Sequence, residues 1–243
     1  MKKELNVERA GPADRFGHVN TWVFDLDNTL YPAGSDVWPK IDARITSFVS
    51  HLFGIDGMSS RALQKYYYER YGTTLSGLVA EHDIAPEEFL SFVHDIDRSS
   101  LFPNMVLAEA ITALPGRKLI LTSGTRDHAI RTAEKLGIDT LFEDVFDIVA
   151  ANLVAKPNPR TYETFFERHG VDPAHAAMFE DIPRNLEVPH SRGMVTTLVV
   201  PKLGSGDTRE AWEANASPVP HIDFMTDDLE RFLESIVAVR EAD

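Results

Sequence analysis

The sequence predicts an α/β chain: a Rossmann-like core built on a parallel sheet, interrupted by an inserted α-helical cap. Three observations carry that expectation. Trp22-Val23-Phe24 is an apolar run that meets two carboxylates, Asp25 and Asp27, at a polar turn. A strand covered on both faces reads as such a run. It tolerates no unpaired charge, so the acids belong at or just beyond its C-terminal end. From about Phe102 onward, short apolar runs alternate with segments of helical spacing, the rhythm of a parallel sheet. Between these two parts, residues 34–100 carry helical spacing without an obvious strand, and they are too long for a simple strand-to-helix connection. The expected division is 1–33 with 101–243 as the core and 34–100 as the cap.

The elements follow in order. Residues 1–19 are mixed and polar and read as a loose N-terminal arm. The first strand is expected at about Thr21 to Leu26, followed by the turn Tyr31-Pro32-Ala33-Gly34-Ser35. Ile41, Ile45, Phe48, Val49, Leu52 and Phe53 recur at helical spacing up to Gly54. A second helix covers about Ser60 to Tyr71 and stops at Gly72, and two more are expected over Leu75 to His82 and Pro86 to Asp97. Pro86 with Glu87 and Glu88 is a good helix opening: proline lacks an N–H that has no partner there, and the acids meet the positive end of the helix dipole. The core resumes with a helix over Met105 to Leu114 and a strand from Lys118 to Leu121 that ends in Thr122-Ser123-Gly124-Thr125. A helix over about Asp127 to Leu136 and a strand at Phe146 to Val149 come next. Lys156-Pro157-Asn158-Pro159 leads into a helix from about Arg160 to His169. Ala176 to Phe179 is a strand ending in Glu180-Asp181, a short helix starts at Arg184, and Met194 to Val200 is a further strand. Residues 201–220 read as loop, and Asp227-Asp228 caps a last helix from about Leu229 to Val239.

Composition narrows the function classes. The 243 residues are 43% hydrophobic, which supports a real core. There is no cysteine, so disulfides and thiolate metal sites are excluded. No stretch approaches the ~18 apolar residues of a membrane span. The opening Met1-Lys2-Lys3-Glu4-Leu5-Asn6 leads into no apolar run of the signal-peptide kind, so the expectation is a cytoplasmic protein without a membrane partner. A formal net charge of −14 argues against a nucleic-acid polymer as partner, since that surface needs a basic stripe. A small phosphorylated ligand remains compatible, because its site is local and can carry its own metal.

Four strand or helix edges carry polar groups: Asp25 and Asp27; Thr122 and Ser123; Lys156; Glu180 and Asp181. In a parallel sheet with right-handed crossovers such tips converge on one edge. Taken alone, the first pair also fits a strand closed by an Asx-type turn. Together, the carboxylates, the hydroxyl and the lysine match the division of labour in phosphoryl transfer. Mg²⁺ takes hard oxygen ligands. Asp25 and Asp181 could supply carboxylate oxygens, and Asp27 its main-chain carbonyl, with its side chain left free.

The motifs Phe24-Asp25-Leu26-Asp27-Asn28-Thr29-Leu30-Tyr31, Leu121-Thr122-Ser123-Gly124, Lys156-Pro157-Asn158-Pro159 and Phe179-Glu180-Asp181-Ile182-Pro183-Arg184-Asn185-Leu186 resemble, in order, the four motifs of the haloacid dehalogenase-like hydrolase superfamily. The resemblance spans about Thr21 to Ile236 and implies a Rossmann-like hydrolase core with an inserted cap. It implies that Asp25 is the nucleophile, forming an aspartyl-phosphate, and that Asp27 is the general acid and then base. It further implies that Thr122 and Ser123 with Lys156 bind the substrate phosphate. Asp181 matches a direct Mg²⁺ ligand with Glu180 beside it or one water away, so Asp25, Asp27, Asp181 and Glu180 form the expected metal set. Asn185 resembles a polar position that supports the metal shell or Lys156.

Asp27 speaks for a phosphate ester over a haloacid, because halide leaves without protonation. A phosphomutase, a sugar-phosphate or phosphoglycolate phosphatase, and a non-catalytic binder of a phosphorylated ligand are the other readings. The form F-D-L-D-N-T-L-Y-P, with Tyr71-Gly72-Thr73-Thr74-Leu75-Ser76-Gly77-Leu78 and Lys156 to Tyr162, resembles the pyrimidine 5′-nucleotidase-like branch. That makes a nucleoside 5′-monophosphate the leading phosphomonoester. The histidines, among them His94 and His128, show no metal-binding pattern and read as structural or solvated. One of Tyr66, Tyr67 and Tyr68 could face substrate while at least one packs in the core, since three consecutive helical residues point in different directions. Arg44 could meet an anion or pair with a surface acid, and Trp38 could border the pocket.

Overall fold

The computed structural model describes residues 15–202, 204 and 219–240. The expectations for residues 1–14 and for most of the 201–220 loop lie outside the described residues. Six strands form one parallel sheet: β1 (Thr21–Phe24), β2 (Arg117–Leu121), β3 (Asp144–Phe146), β4 (Ala176–Glu180), β5 (Val195–Val199) and β6 (Phe224–Thr226), in the spatial order β3-β2-β1-β4-β5-β6. β1 is central, with Val23 beside Leu119 of β2 and Met178 of β4. The strand order reverses between β1 and β4, and the crevice outside their C-terminal ends is where ligands of such sheets sit.

Side chains alternate across this sheet with the period of two that a strand imposes. Trp22, Phe24, Ile120, Ala177 and Phe179 point to one face. Val23, Leu119, Leu121, Ala176 and Met178 point to the other. Helices α5 (Met105–Ala113), α6 (Arg126–Leu136) and α9 (Leu229–Arg240) cover the first face, and α7 (Pro159–His169) covers the second. A short helix α8 (Glu187–Ser191) precedes β5. Both faces of β1 are therefore dry, and the first charge in its path, Asp25, falls one residue past its end.

Between β1 and α5 lie α1 (Val37–Phe53), α2 (Gly57–Tyr71), α3 (Thr74–His82) and α4 (Pro86–His94). They share an apolar cluster of their own, with Val49, Tyr67, Leu75, Leu78, Phe89 and Val93 at its centre. Caps fix their ends. The Asp56 carboxylate accepts from Met58 N and Ser59 N, Thr73 Oγ1 accepts from Ser76 N, and Gly54 ends α1 at φ 63°. Such side-chain caps satisfy N–H groups that have no partner inside the helix.

Several boundaries differ from those expected. The first strand ends at Phe24 because Leu26 O already accepts Thr29 N and Leu30 N, so the turn begins there. The third strand is 144–146 rather than 146–149: the Asp147 carboxylate takes the N–H groups of Ala150 and Arg126 and turns the chain. The helix from Pro86 stops at His94, not Asp97. β6 was not expected; it is a three-residue edge strand with no apolar run to announce it. The arm is anchored by Phe16, which is fully buried among Trp22, Phe179, Phe224 and Phe232.

Candidate active site

Asp25, Thr122, Lys156, Glu180 and Asp181 meet at the C-terminal edge of β1, β2 and β4, and all five are buried. Asp25 N donates to Phe179 O, which extends the β1–β4 ladder by one residue and sets the carboxylate beside β4. Lys156 arrives from the loop before α7. Its Nζ donates to Asp25 Oδ1 and Glu180 Oε2 at 2.6 Å each, and to Leu121 O at 3.0 Å. All three ammonium protons are thus committed. Glu180 Oε1 accepts from Asp181 N and Ile182 N, so both oxygens of Glu180 are engaged as well. Asn28, held at φ 59°, donates Nδ2 to Asp181 Oδ2 at 3.4 Å.

One lysine does not neutralise this cluster. Carboxylate oxygens of Asp25, Glu180 and Asp181 lie within 4.8 Å of one another. Burial first, and then the Glu180 charge, push the Asp25 carboxyl up to about 8 despite Lys156. The same two causes raise Asp181 well above the carboxylate range. Asn28 Oδ1, Thr29 Oγ1 and Asn185 Oδ1 are buried without a hydrogen-bond partner. Crowded hard oxygens and acceptors that lack donors fit a divalent cation of the oxygen-preferring kind.

A stability effect follows from these shifts. A folded chain that holds protons its unfolded form has released loses stability as pH rises. For Asp25 that loss runs from the ordinary carboxylate range to about 8. His94 works oppositely: burial holds its ring down to about 3, so its trend is complete by about 6.5, the ordinary histidine value. Between pH 6.5 and 8 the acid cluster dominates. Chelator-treated protein is therefore expected to melt at a lower temperature at pH 8 than at pH 6.5. Adding a divalent cation should raise the melting temperature more at pH 8. A cation effect that is larger at pH 6.5 contradicts the prediction.

Asp27 sits in the turn after β1, and its side chain is held by two hydrogen bonds. Its Oδ1 accepts from Tyr31 Oη at 2.5 Å and lies 2.8 Å from His128 Nε2. Burial works to raise this carboxyl, but His128 and the bonds from His128 and Tyr31 outweigh it and hold it below the ordinary carboxylate range. His128 is fully buried, and His94 stacks on it with centroids 4.6 Å apart. Of the two roles expected for the histidines, structural or solvated, these two are buried and partnered, and they stand beside Asp27. The available signal was position: Thr125 caps α6 by accepting from His128 N, which puts His128 in the first turn after a motif loop at the sheet's C-terminal edge.

The cavity at this edge is lined on one side by the helical segment and on the other by Asp25, Asp27, Thr122, Ser123 and Lys156. Thr122 Oγ1 accepts from Gly124 N. Asn185 also lines the cavity, and its main-chain O accepts from Tyr162 Oη. Trp38, Ile41, Leu75, Phe89 and Leu90 supply apolar walls. Of the three tyrosines, Tyr68 lines the cavity, Tyr67 packs in the helical cluster and Tyr66 is exposed. Arg184, from the loop after β4, lies over the Tyr68 ring at 4.9 Å and ties the two sides together. Arg44 stacks on Phe92 and pairs with Asp95, and it is not among the lining residues.

A doubly wound parallel sheet with acids at its switch point and a helical insertion over them defines an α/β protein of the Rossmann-like type. Residues 19–189 match the haloacid dehalogenase-like hydrolase family model, and the chain belongs to that family. It is 29% identical over 189 residues to phosphate metabolism protein 8 of Saccharomyces cerevisiae, a match that covers 70% of this chain and 58% of the yeast protein. The chain thus spans little more than half the length of that relative. The fold is similar to that of the L-2-haloacid dehalogenase of Xanthobacter autotrophicus, with TM-score 0.57, 17% identity and coverage of 90% of this chain and 98% of the other. A HAD phosphatase from Thermococcus onnurineus matches with TM-score 0.57, 16% identity and the same coverages. Hydrolases of this family generally use a divalent metal, and the buried acid cluster could hold one. Among the described residues, no helix is long and apolar enough to cross a membrane.

Proposed function

We propose that the protein is a Mg²⁺-dependent phosphomonoester hydrolase that works through an aspartyl-phosphate on Asp25 and prefers pyrimidine nucleoside 5′-monophosphates. One observation carries the chemistry. The Asp25 carboxylate, bonded to Lys156 at 2.6 Å, and the Asp27 carboxylate line the same cavity. A nucleophile and a proton carrier then face one phosphorus from the same strand tip.

In the first step an Asp25 oxygen forms a bond to phosphorus as the bond to the ester oxygen breaks, and Asp27 delivers a proton to the departing alkoxide. In the second, water attacks the acyl-phosphate, Asp27 takes the water's proton, and Asp25 and inorganic phosphate are released. An approaching phosphoryl dianion raises the proton affinity of Asp27, which opposes the pull of His128 and Tyr31. Thr122 Oγ1, Ser123 and nearby main-chain N–H groups hold the non-bridging oxygens, and Lys156 offsets negative charge on both sides of the bond being made. Mg²⁺, held by Asp25, Asp181 and the Asp27 main-chain carbonyl with Glu180 beside them, would supply further positive charge against those oxygens. Asn185 supports that shell. The walls of Trp38, Leu75, Phe89 and Tyr68 suit a flat, partly apolar leaving group.

The substrate choice rests on the resemblance to the pyrimidine nucleotidase branch, because the sheet edge treats all monoesters alike. The similarity to the yeast phosphate metabolism protein supports a phosphate ester in general. The test is a side-by-side comparison of kcat/KM on UMP, CMP, purine nucleotides, sugar phosphates and phosphoglycolate, with and without chelator. UMP or CMP should lead the panel, and chelation should remove activity. A sugar phosphate or phosphoglycolate tenfold better than every pyrimidine nucleotide overturns the substrate choice. Full activity after rigorous metal removal overturns the magnesium dependence.

A further inference from the structure

The group that acts on the leaving oxygen must present one carboxylate oxygen to it and keep that oxygen still. Asp27 stands in a turn, where main-chain geometry alone leaves its χ2 free to rotate. Both of its hydrogen bonds among the described residues fall on Oδ1, from Tyr31 Oη and His128 Nε2. Among the described residues, Oδ2 takes no hydrogen bond. One oxygen is therefore fixed from two directions and the other is left open to the cavity.

The direction of the His128 bond is settled by its other nitrogen. Arg98 Nη2 lies 2.7 Å from His128 Nδ1. A guanidinium has only donors, so Nδ1 must accept. The ring proton then sits on Nε2 and is donated to Asp27. Arg98 is itself buried and tightly held: Nε donates to Thr132 Oγ1 at 3.2 Å, Nη1 to Ile96 O at 3.1 Å and Nη2 to His94 O at 3.1 Å. Among the described residues it has no carboxylate in contact. A buried guanidinium without an acid is costly, and what its donors hold is the returning chain between α4 and α5 and the back of the His128 ring. The ring has little room to swing. The His94 ring is stacked on it at an interplanar angle of 11°, and a Cβ placed on Gly124 would come within 3.1 Å of its Cδ2.

We infer that His128 is a positioning residue for Asp27: its ring, fixed in one tautomer by Arg98, pins one oxygen of the Asp27 carboxylate and so aims the other at the ester oxygen. The inference rests on the reading of Asp27 as the proton carrier. It also gives the segment returning from the helical insertion a direct link to the chemistry, because Arg98 belongs to that segment.

The test separates positioning from simple packing by leaving group. An aryl phosphate such as p-nitrophenyl phosphate leaves without much help from an acid, whereas a nucleotide or other alkyl phosphate needs the proton. H128F removes the donor and keeps a ring of similar size. It is expected to lower kcat about 100-fold on the alkyl ester and less than about 5-fold on the aryl ester, with each KM within about twofold. H128Q can offer an amide N–H to Asp27 and a carbonyl to Arg98, and should recover to within about tenfold of wild type on the alkyl ester. R98M releases Nδ1 and should show a selective loss of about tenfold on that ester. Equal losses on the two esters in H128F, or a folded H128Q as damaged as H128F, overturn the inference. If H128F does not fold, R98M decides: a loss independent of leaving group overturns it. Asp27→Asn is measured alongside. If its losses do not depend on the leaving group, the reading of Asp27 as proton carrier fails. If they do and those of H128F do not, only the role of His128 fails.

Discussion

Asp25→Asn is expected to lower kcat by about 10⁴-fold or more while the protein folds and melts normally, because the nucleophile of a two-step hydrolysis has no substitute. The amide keeps the shape of the side chain. Its oxygen can still accept from Lys156 Nζ, which lies 2.6 Å from Asp25 Oδ1 in the native chain. Its lone pairs are too weakly basic to attack phosphorus. The effect on stability should run the other way. Asp25 is one of three carboxylates whose oxygens lie within 4.8 Å, and its carboxyl is raised to about 8 by burial and by Glu180. Removing that charge relieves repulsion, so metal-free Asp25→Asn should melt at or above the wild-type temperature at pH 8. The decisive observation is the covalent state. Wild-type protein mixed with labelled substrate and quenched in acid should carry phosphate, and Asp25→Asn should carry none. Turnover near the wild-type rate in Asp25→Asn would exclude Asp25 as the attacking group.

The acids of this site were legible in the sequence for a reason that applies to any buried strand. Trp22, Val23 and Phe24 allow no charge within β1, so Asp25 and Asp27 had to fall at its tip. The parallel rhythm then brought Thr122, Lys156, Glu180 and Asp181 to the same edge. What holds Asp27 was not legible. Its bond to His128 joins residues 101 positions apart, and the tautomer depends on Arg98, a residue of the returning segment that no motif marks. Tyr31 was in view as part of the first motif, but its reach to Asp27 depends on how the 26–30 turn folds back. The same limit applies to the fold. Phe16 looked like part of a loose arm because its aromatic partners Phe179, Phe224 and Phe232 lie far along the chain. β6 is too short to show a period. Local rules find charges that cannot be buried, but they do not find the partners that make burial tolerable.

Lys156→Met should show that second kind of dependence. The ammonium is the cation of the acid cluster, with its side chain 2% exposed and bonds to Asp25, Glu180 and Leu121 O. Methionine fills a similar volume, so the change deletes charge and donors more than packing. Three effects follow at once. Asp25 and Glu180 lose their common counter-ion, the Leu121 carbonyl loses a donor, and the phosphoryl group loses a positive charge beside its path. Removing one partner of a buried ion pair costs about 3–5 kcal/mol, and that loss should appear by urea unfolding of chelator-treated protein at pH 7. The pH dependence identifies its origin. Without Lys156 the remaining acids hold protons still more tightly in the folded chain, so the penalty must shrink as pH falls toward 5 and grow toward 8. A divalent cation should return part of the stability at pH 8 by supplying charge to the same oxygens. It should not return activity, because the ammonium's bond to Asp25 is missing; a kcat loss of about 10³-fold is expected for one such preorganised group. A penalty that is the same at pH 5 and pH 8 would mean that the side chain matters for packing alone. Activity restored by raising the cation concentration would mean that Lys156 serves only to balance charge, and that its bond to Asp25 has no part in the reaction.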